Sequence, residues 1–112
     1  MKVALVVPGG VDRSGTERVI PCLLWLIERL ARAHEVHVFA LQQESRPSRW
    51  PLLGAEVHSI GAPPRRARGL AAILEEHRRA PFDVLHAVWG PGPGVVAAAA
   101  GRLTGRPVLT HL

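Results

Sequence analysis

The chain is poor in cysteine, lysine and aromatic side chains. Among its 112 residues there is one cysteine, Cys22, and one lysine, Lys2, and aromatics make up 4%. A single thiol excludes an internal disulfide framework and a cysteine-rich zinc site. Cys22 falls in an apolar segment, which predicts a buried structural thiol and not a reactive one. The net charge of +5 rests almost wholly on arginine. Positive charge suits anionic lipid, nucleic acid or a phosphorylated substrate alike. The aromatics are scarce and dispersed, and no nucleic-acid motif occurs, so no nucleic-acid partner is expected. No apolar run approaches the roughly 18 residues of a transmembrane helix. The run after Met1-Lys2 stops at Val7 on Pro8-Gly9-Gly10, without a small-residue cleavage pattern, so no signal peptide is read and a cytoplasmic location is expected. Neither G-x-G-x-x-G nor G-x-x-x-x-G-K-[ST] is present.

Apolar residues at 47% are enough for one packed domain. Val3 to Val7 is apolar without alternation, as in a strand buried on both faces. A helix is expected from about Glu17 to Ala33, with Thr16 as its N-cap. Pro21 lacks an N–H, so either the regular helix starts there or its first turn is distorted. Glu35 to Leu41 reads as a second strand, Gln42 to Gly54 as a loop, and Ala55 to Ile60 as a third strand. A helix follows over about Arg66 to Arg79, then a strand over Phe82 to Val88. Trp89 to Gly94 is a glycine-rich loop, Val95 to Leu103 a small-residue helix, and Pro107 to Leu112 a fifth strand. This β-α-β-β-α-β-α-β order predicts an α/β fold. It is a Rossmann-like, mostly parallel sheet of about five strands with helices on both faces. The last strand has no helix after it, so one sheet face is expected to be thinly covered.

Ligands of such sheets sit at the carboxyl ends of the strands. That rule brings Pro8-Gly9-Gly10, Trp89-Gly90-Pro91 and His111 to one edge. Glycine admits close backbone approach, and N–H groups at a helix start suit phosphate. Gly9, Gly10, Gly15 and Thr16 are therefore candidates for phosphate or sugar contact, with a plain structural turn as the alternative. Trp89, beside Gly90, can stack on a sugar or pack beneath its own loop. His86, inside a strand, is either a core histidine or a functional one. Arg65, Arg66 and Arg68 either meet anionic lipid head groups or form a solvated helix face. His34, His37, His58 and His77 show no metal-ligand spacing with nearby cysteines or carboxylates, so no metal site is read. Glu75 and Glu76 point to different helical angles and form no catalytic carboxylate pair.

Five segments, in order, resemble the N-terminal domain of retaining GT-B glycosyltransferases of the family-4 kind. They are Pro8-Gly9-Gly10; Gly15-Thr16-Glu17-Arg18-Val19; Ala33-His34-Glu35-Val36-His37-Val38, similar to a "GHEVHV" motif; Phe82-Asp83-Val84-Leu85-His86-Ala87, similar to "(F/P)DVVHAH"; and Gly105-Arg106-Pro107-Val108-Leu109-Thr110-His111, similar to "G-x-P-x-V-x-T-x-H". The pattern departs at Ala33, where glycine is usual, at Val88, where a second histidine would stand, and at Pro21.

The resemblance implies the N-terminal half of a GT-B architecture, residues 1–112 being an incomplete acceptor-side domain that lacks its donor-binding partner domain. It implies a parent enzyme that moves a sugar from a nucleotide-sugar donor to a glycan, lipid or small-molecule acceptor. Configuration would be retained, and the nucleotide-sugar would be a co-substrate with no other cofactor and no metal. The isolated chain would be inactive. Gly9, Gly10, Gly15 and Thr16 match the loop facing the donor diphosphate. His111 matches a histidine near the transferred sugar. Trp89, Gly90 and His86 fall on the acceptor side. Peripheral contact with the anionic inner face of a membrane fits the arginines. A stand-alone flavodoxin-like module binding a nucleotide or sugar phosphate without catalysis is the competing reading.

Overall fold

The central strand β1 (Lys2–Val7) is buried along its whole length. It lies between two parallel neighbours, β2 (Glu35–Ala40) and β5 (Val84–Val88), so both of its faces are covered. That position explains the unbroken apolar run. The computed structural model describes residues 1–12, 14–17, 19–88 and 91–111. Its other elements are α1 (Pro21–Ala33), β3 (Ser48–Leu52), β4 (Ala55–Ser59), α2 (Arg65–Arg79), α3 (Pro91–Thr104) and β6 (Val108–His111). One six-stranded sheet has the order β3-β4-β2-β1-β5-β6, and only β3 runs antiparallel to its neighbour.

Side-chain alternation divides the core into two layers. Leu5, Val7, Val36, Val38 and Val57 face α1, which brings Leu23 and Ile27 onto them. Ala4, Val6, Phe39, Leu85 and Ala87 face α2 and α3, which supply Ile73, Val96, Ala97 and Ala100. A Cβ at Gly101 would collide with the Val108 side chain, so α3 lies hard against β6. The expected mostly parallel sheet with helices on both faces is what the chain forms. The β6 end is the thin part, where Leu109 is 57% exposed.

Several boundaries differ from the sequence reading. The region expected to be a loop, 42–54, contains β3. Trp50 and Leu52 alternate with exposed Arg49 and Pro51, and Pro51 is tolerated because β3 is the sheet edge. Helix α1 begins at Pro21 with Ile20 as N-cap, so Thr16 is not the cap. Proline suits the first helical position, where no N–H is needed. Helix α3 begins at Pro91, not Val95, because the first turn of a helix has no internal N–H partners to lose. Cys22 is exposed, on the solvent side of the first turn of α1, and not buried.

Candidate functional site

The sheet reverses its winding at β1. The chain passes from β1 through α1 to β2 on one side, and reaches β5, α3 and β6 on the other. The crevice of such a sheet lies outside the carboxyl ends of the two strands at the reversal. Here these are Val7 of β1 and Val88 of β5. Pro8, Gly9 and Gly10 leave the first directly. His111 pairs in register with Val88, so its backbone closes β6 at the same edge. The His111 imidazole, Trp89 and Gly90 lie outside the described part of the molecule.

The loop after β1 is held by named contacts. Gln42 N–H donates to the Pro8 carbonyl at 2.7 Å, and Ile20 N–H to the Gly10 carbonyl at 3.0 Å. Gly10 has φ +82°, and a Cβ there would press on the Ile20 side chain at 2.7 Å. Only glycine fits this turn without strain. Val11 is anchored from two sides. Its N–H donates to Gln43 Oε1 at 2.8 Å, and its carbonyl accepts from Trp50 Nε1 at 3.1 Å.

The four candidate phosphate contacts divide at this point. Among the described residues, the N–H groups of Gly9 and Gly10 donate to no protein acceptor. Gly15 N–H donates to the Asp12 carbonyl at 3.1 Å, and Thr16 N–H to Ser14 Oγ at 3.2 Å. Gly15 sits over Leu52 of β3, where a Cβ would lie 3.7 Å from Leu52 Cδ1. Val11 packs into the α1-side layer of the core and pairs with Val19 in an antiparallel bridge. So Gly9 and Gly10 remain at the carboxyl edge with free donors, while Gly15 and Thr16 are carried away from it with theirs engaged. His86 is half-buried in the middle of β5, in register with Leu5 and Leu109.

A family model for the glycosyl transferase 4-like domain matches residues 19–112. The chain belongs to that family. A comparison with curated proteins finds no match. A sugar donor and an acceptor are thus the general substrates of the domain's class. Among the described residues, no helix is long and apolar enough to cross a membrane.

The glycosyl transferase 4-like domain has a second concavity away from the carboxyl edge of β1. A cleft of about 490 Å³ opens between β3, β4 and α2, with Arg49, His58, Ser59, Arg68, Glu76 and Arg79 in its wall. Beneath it a polar stripe runs between the sheet and α2. Lys2, His37, His58 and Glu76 are all buried. Lys2 Nζ donates to Glu76 Oε2 at 2.8 Å and to the Ala80 carbonyl at 2.6 Å, and lies 4.7 Å from the centre of the Phe82 ring. Burial alone would raise the Glu76 carboxyl. The Lys2 hydrogen bond and the charges of His37, Lys2 and Arg79 outweigh it and hold the group below the usual glutamate range.

His58 is pushed down to about 4, by burial first and then by the charges of Arg49 and His37. Its ring stacks on Phe39 at 4.6 Å. His37 meets His58 at 3.0 Å and Glu35 at 2.7 Å. Sequence spacing missed this cluster. His37 and Glu56 are partners across β2 and β4, and His58 follows Glu56 by two on the same face. Strand pairing is the signal that finds it, and that signal is absent from linear spacing.

Proposed function

We propose that this chain is the acceptor-side domain of a retaining GT-B glycosyltransferase. The parent enzyme takes a nucleotide-sugar donor and passes its sugar to a glycan, lipid or small-molecule acceptor, without a metal in the transfer step. Family membership supports this reading. The observation that carries it further is the pair of unengaged N–H groups at Gly9 and Gly10, beside the point where the sheet reverses. In this reading those donors face the donor diphosphate. They neutralise charge on the leaving nucleotide without exchanging a proton. Gly15 and Thr16 support the loop and do not touch the donor. His111 serves the transferred sugar as a hydrogen-bonding group. Trp89, Gly90 and His86 serve the acceptor, and Arg65, Arg66 and Arg68 favour an acceptor at an anionic membrane surface.

The test begins with the intact mass of the natively produced protein and the coding DNA read past Leu112. A second α/β domain with an E-x7-E motif, together with sugar transfer from one of a panel of nucleotide-sugars, supports the proposal. Replacement of Gly10 by valine should then abolish transfer. A natural stop at Leu112, with nucleotide or sugar-phosphate binding by the isolated chain, overturns it in favour of a binding module.

A further inference from the structure

We propose that His37, His58 and Glu56 form a binding site for one divalent transition-metal ion, Zn²⁺ by chemistry, on the α2 face of the sheet. The site is separate from the carboxyl-edge crevice and does not depend on the glycosyltransferase reading. The inference rests on the mutual spacing of three donor atoms. His37 Nδ1 lies 3.0 Å from His58 Nε2. Glu56 Oε2 lies 3.7 Å from His37 Nδ1 and 4.0 Å from His58 Nε2. Three atoms so spaced share one equidistant point at about 2.1 Å from each, which matches Zn–N and Zn–O bond lengths. Two imidazoles and a carboxylate are a ligand set for zinc with one position left open. His58 and Glu76 line the adjoining cleft of about 490 Å³, which gives the fourth position a route to solvent.

The surroundings orient these ligands. A glutamate carboxylate only accepts, so His37 Nε2–H donates to Glu35 Oε2 at 2.7 Å. That bond leaves His37 Nδ1 turned toward His58 Nε2. A carboxylate holding the far nitrogen of a ligating histidine is the usual outer partner of a metal-bound imidazole. Phe39 and Phe82 fix the two rings, at 4.6 Å from His58 and 5.8 Å from His37.

A second grouping, Glu35, His37 and Glu76, has comparable spacing. It already holds a cation: Lys2 Nζ is 2.8 Å from Glu76 and 4.0 Å from Glu35. In the first grouping, Arg49 sits on the other carboxylate oxygen of Glu56, at 2.9 Å. Arg49 is about half exposed and is free to withdraw to solvent when a dication enters.

The full chain, freed of metal with a chelator, is titrated with Zn²⁺ against a chromophoric zinc chelator. A parallel titration with Co²⁺ follows the visible ligand-field bands of a four-coordinate site. One ion per chain is expected, with those bands. Glu56→Gln, at a partly exposed position, and His58→Asn should each remove stoichiometric binding. Glu35→Gln should weaken it about ten-fold, as outer-partner changes do. Arg49→Gln should strengthen it, a gain that a purely structural role for the stripe does not produce. The N-terminal amine, 3.3 Å from His34 Nδ1, is the rival site. Binding that survives His58→Asn and Glu56→Gln but is lost in His34→Asn overturns the proposal. So does failure of the natively folded chain to take up one Zn²⁺.

Discussion

The layer under α1 and the layer under α2 rest on the same six strands, and they are balanced differently. Under α1, the buried strand positions that share a cluster with Leu23 and Ile27 are all apolar, mostly valine and leucine. Under α2, an apolar patch around Phe39, Ile73 and Phe82 continues into the stripe of Lys2, His37, His58 and Glu76. The first layer gains from removal of apolar area from water, a term without direction. The second is stable only while each buried charge keeps its partner. The first should therefore tolerate swaps of shape and fail by loss of volume. The second should fail by loss of a partner and be repaired by loss of both.

The largest expected effect lies under α1. Ile27 is fully buried against the strands. Ile27→Ala should cost about 3–4 kcal/mol, from lost transfer energy and the cavity left behind. Urea unfolding measures it, and Ile27→Val should recover most of the loss.

Next comes the stripe. Lys2→Met should cost about 3 kcal/mol, because it leaves Glu76 buried without its closest cation. The double change Lys2→Met with Glu76→Leu should be more stable than Lys2→Met alone, since a well-packed apolar pair often equals a buried ion pair. Denaturation midpoints of the two single variants and the double variant decide this. Strict additivity of the two losses would show that the layers do not differ in the way argued.

The stripe also titrates. The folded His58 accepts a proton only near pH 4, against 6.5 when unconstrained. Below pH 6.5 the unfolded chain binds a proton that the folded chain refuses, so stability falls as pH drops from 6.5 toward 4. The loss should reach about 2–3 kcal/mol. Glu76, held below its ordinary value, adds a further loss as pH falls through its folded pKa. Chelator-treated protein unfolded in urea across this range should show the decline, and His58→Gln should flatten its upper part. A decline unchanged in His58→Gln would assign the acid sensitivity elsewhere.

These two layers were not equally legible in the sequence. The apolar layer could be read, because a strand buried on both faces is a run of Val, Ala and Leu, and α1 carries Leu23 and Ile27 one turn apart. The carboxyl-edge loop could be read for a related reason: Val7 is followed at once by Pro8, Gly9 and Gly10. Pairing decided the rest. Residues 42–54 are polar and hold two prolines, so they resemble a loop. Trp50 and Leu52 become a strand only because β4 offers them an edge. Gly15 and Thr16 follow Gly10 closely in sequence, but the pairing of Val11 with Val19 turns them away. The apolar composition of the first turn of α1 suggests a buried Cys22, but the thiol is exposed. Its direction depends on where the helix begins, and Pro21 sets that start.

The smallest expected effect sharpens the comparison most cleanly, because it keeps the chemistry and changes only the burial. Glu28 and Arg32 form an ion pair at 3.3 Å on the outer side of α1, with side chains 47% and 72% exposed. Lys2 and Glu76 are paired at 2.8 Å with side chains 7% and 10% exposed. Glu28→Ala should cost only about 0.3–0.5 kcal/mol, the value of a solvent-exposed pair four residues apart on a helix. That cost should shrink further in high salt, because water and ions already screen the two groups. Lys2→Met should keep nearly its full cost in the same salt, since ions do not reach between Lys2 and Glu76. Urea midpoints of both variants at low and high salt make the measurement. A Glu28→Ala loss as large as that of Lys2→Met would mean that pairing itself stabilises this domain. The expected gap, nearly insensitive to salt on the buried side, locates the penalty in a charge left behind without water.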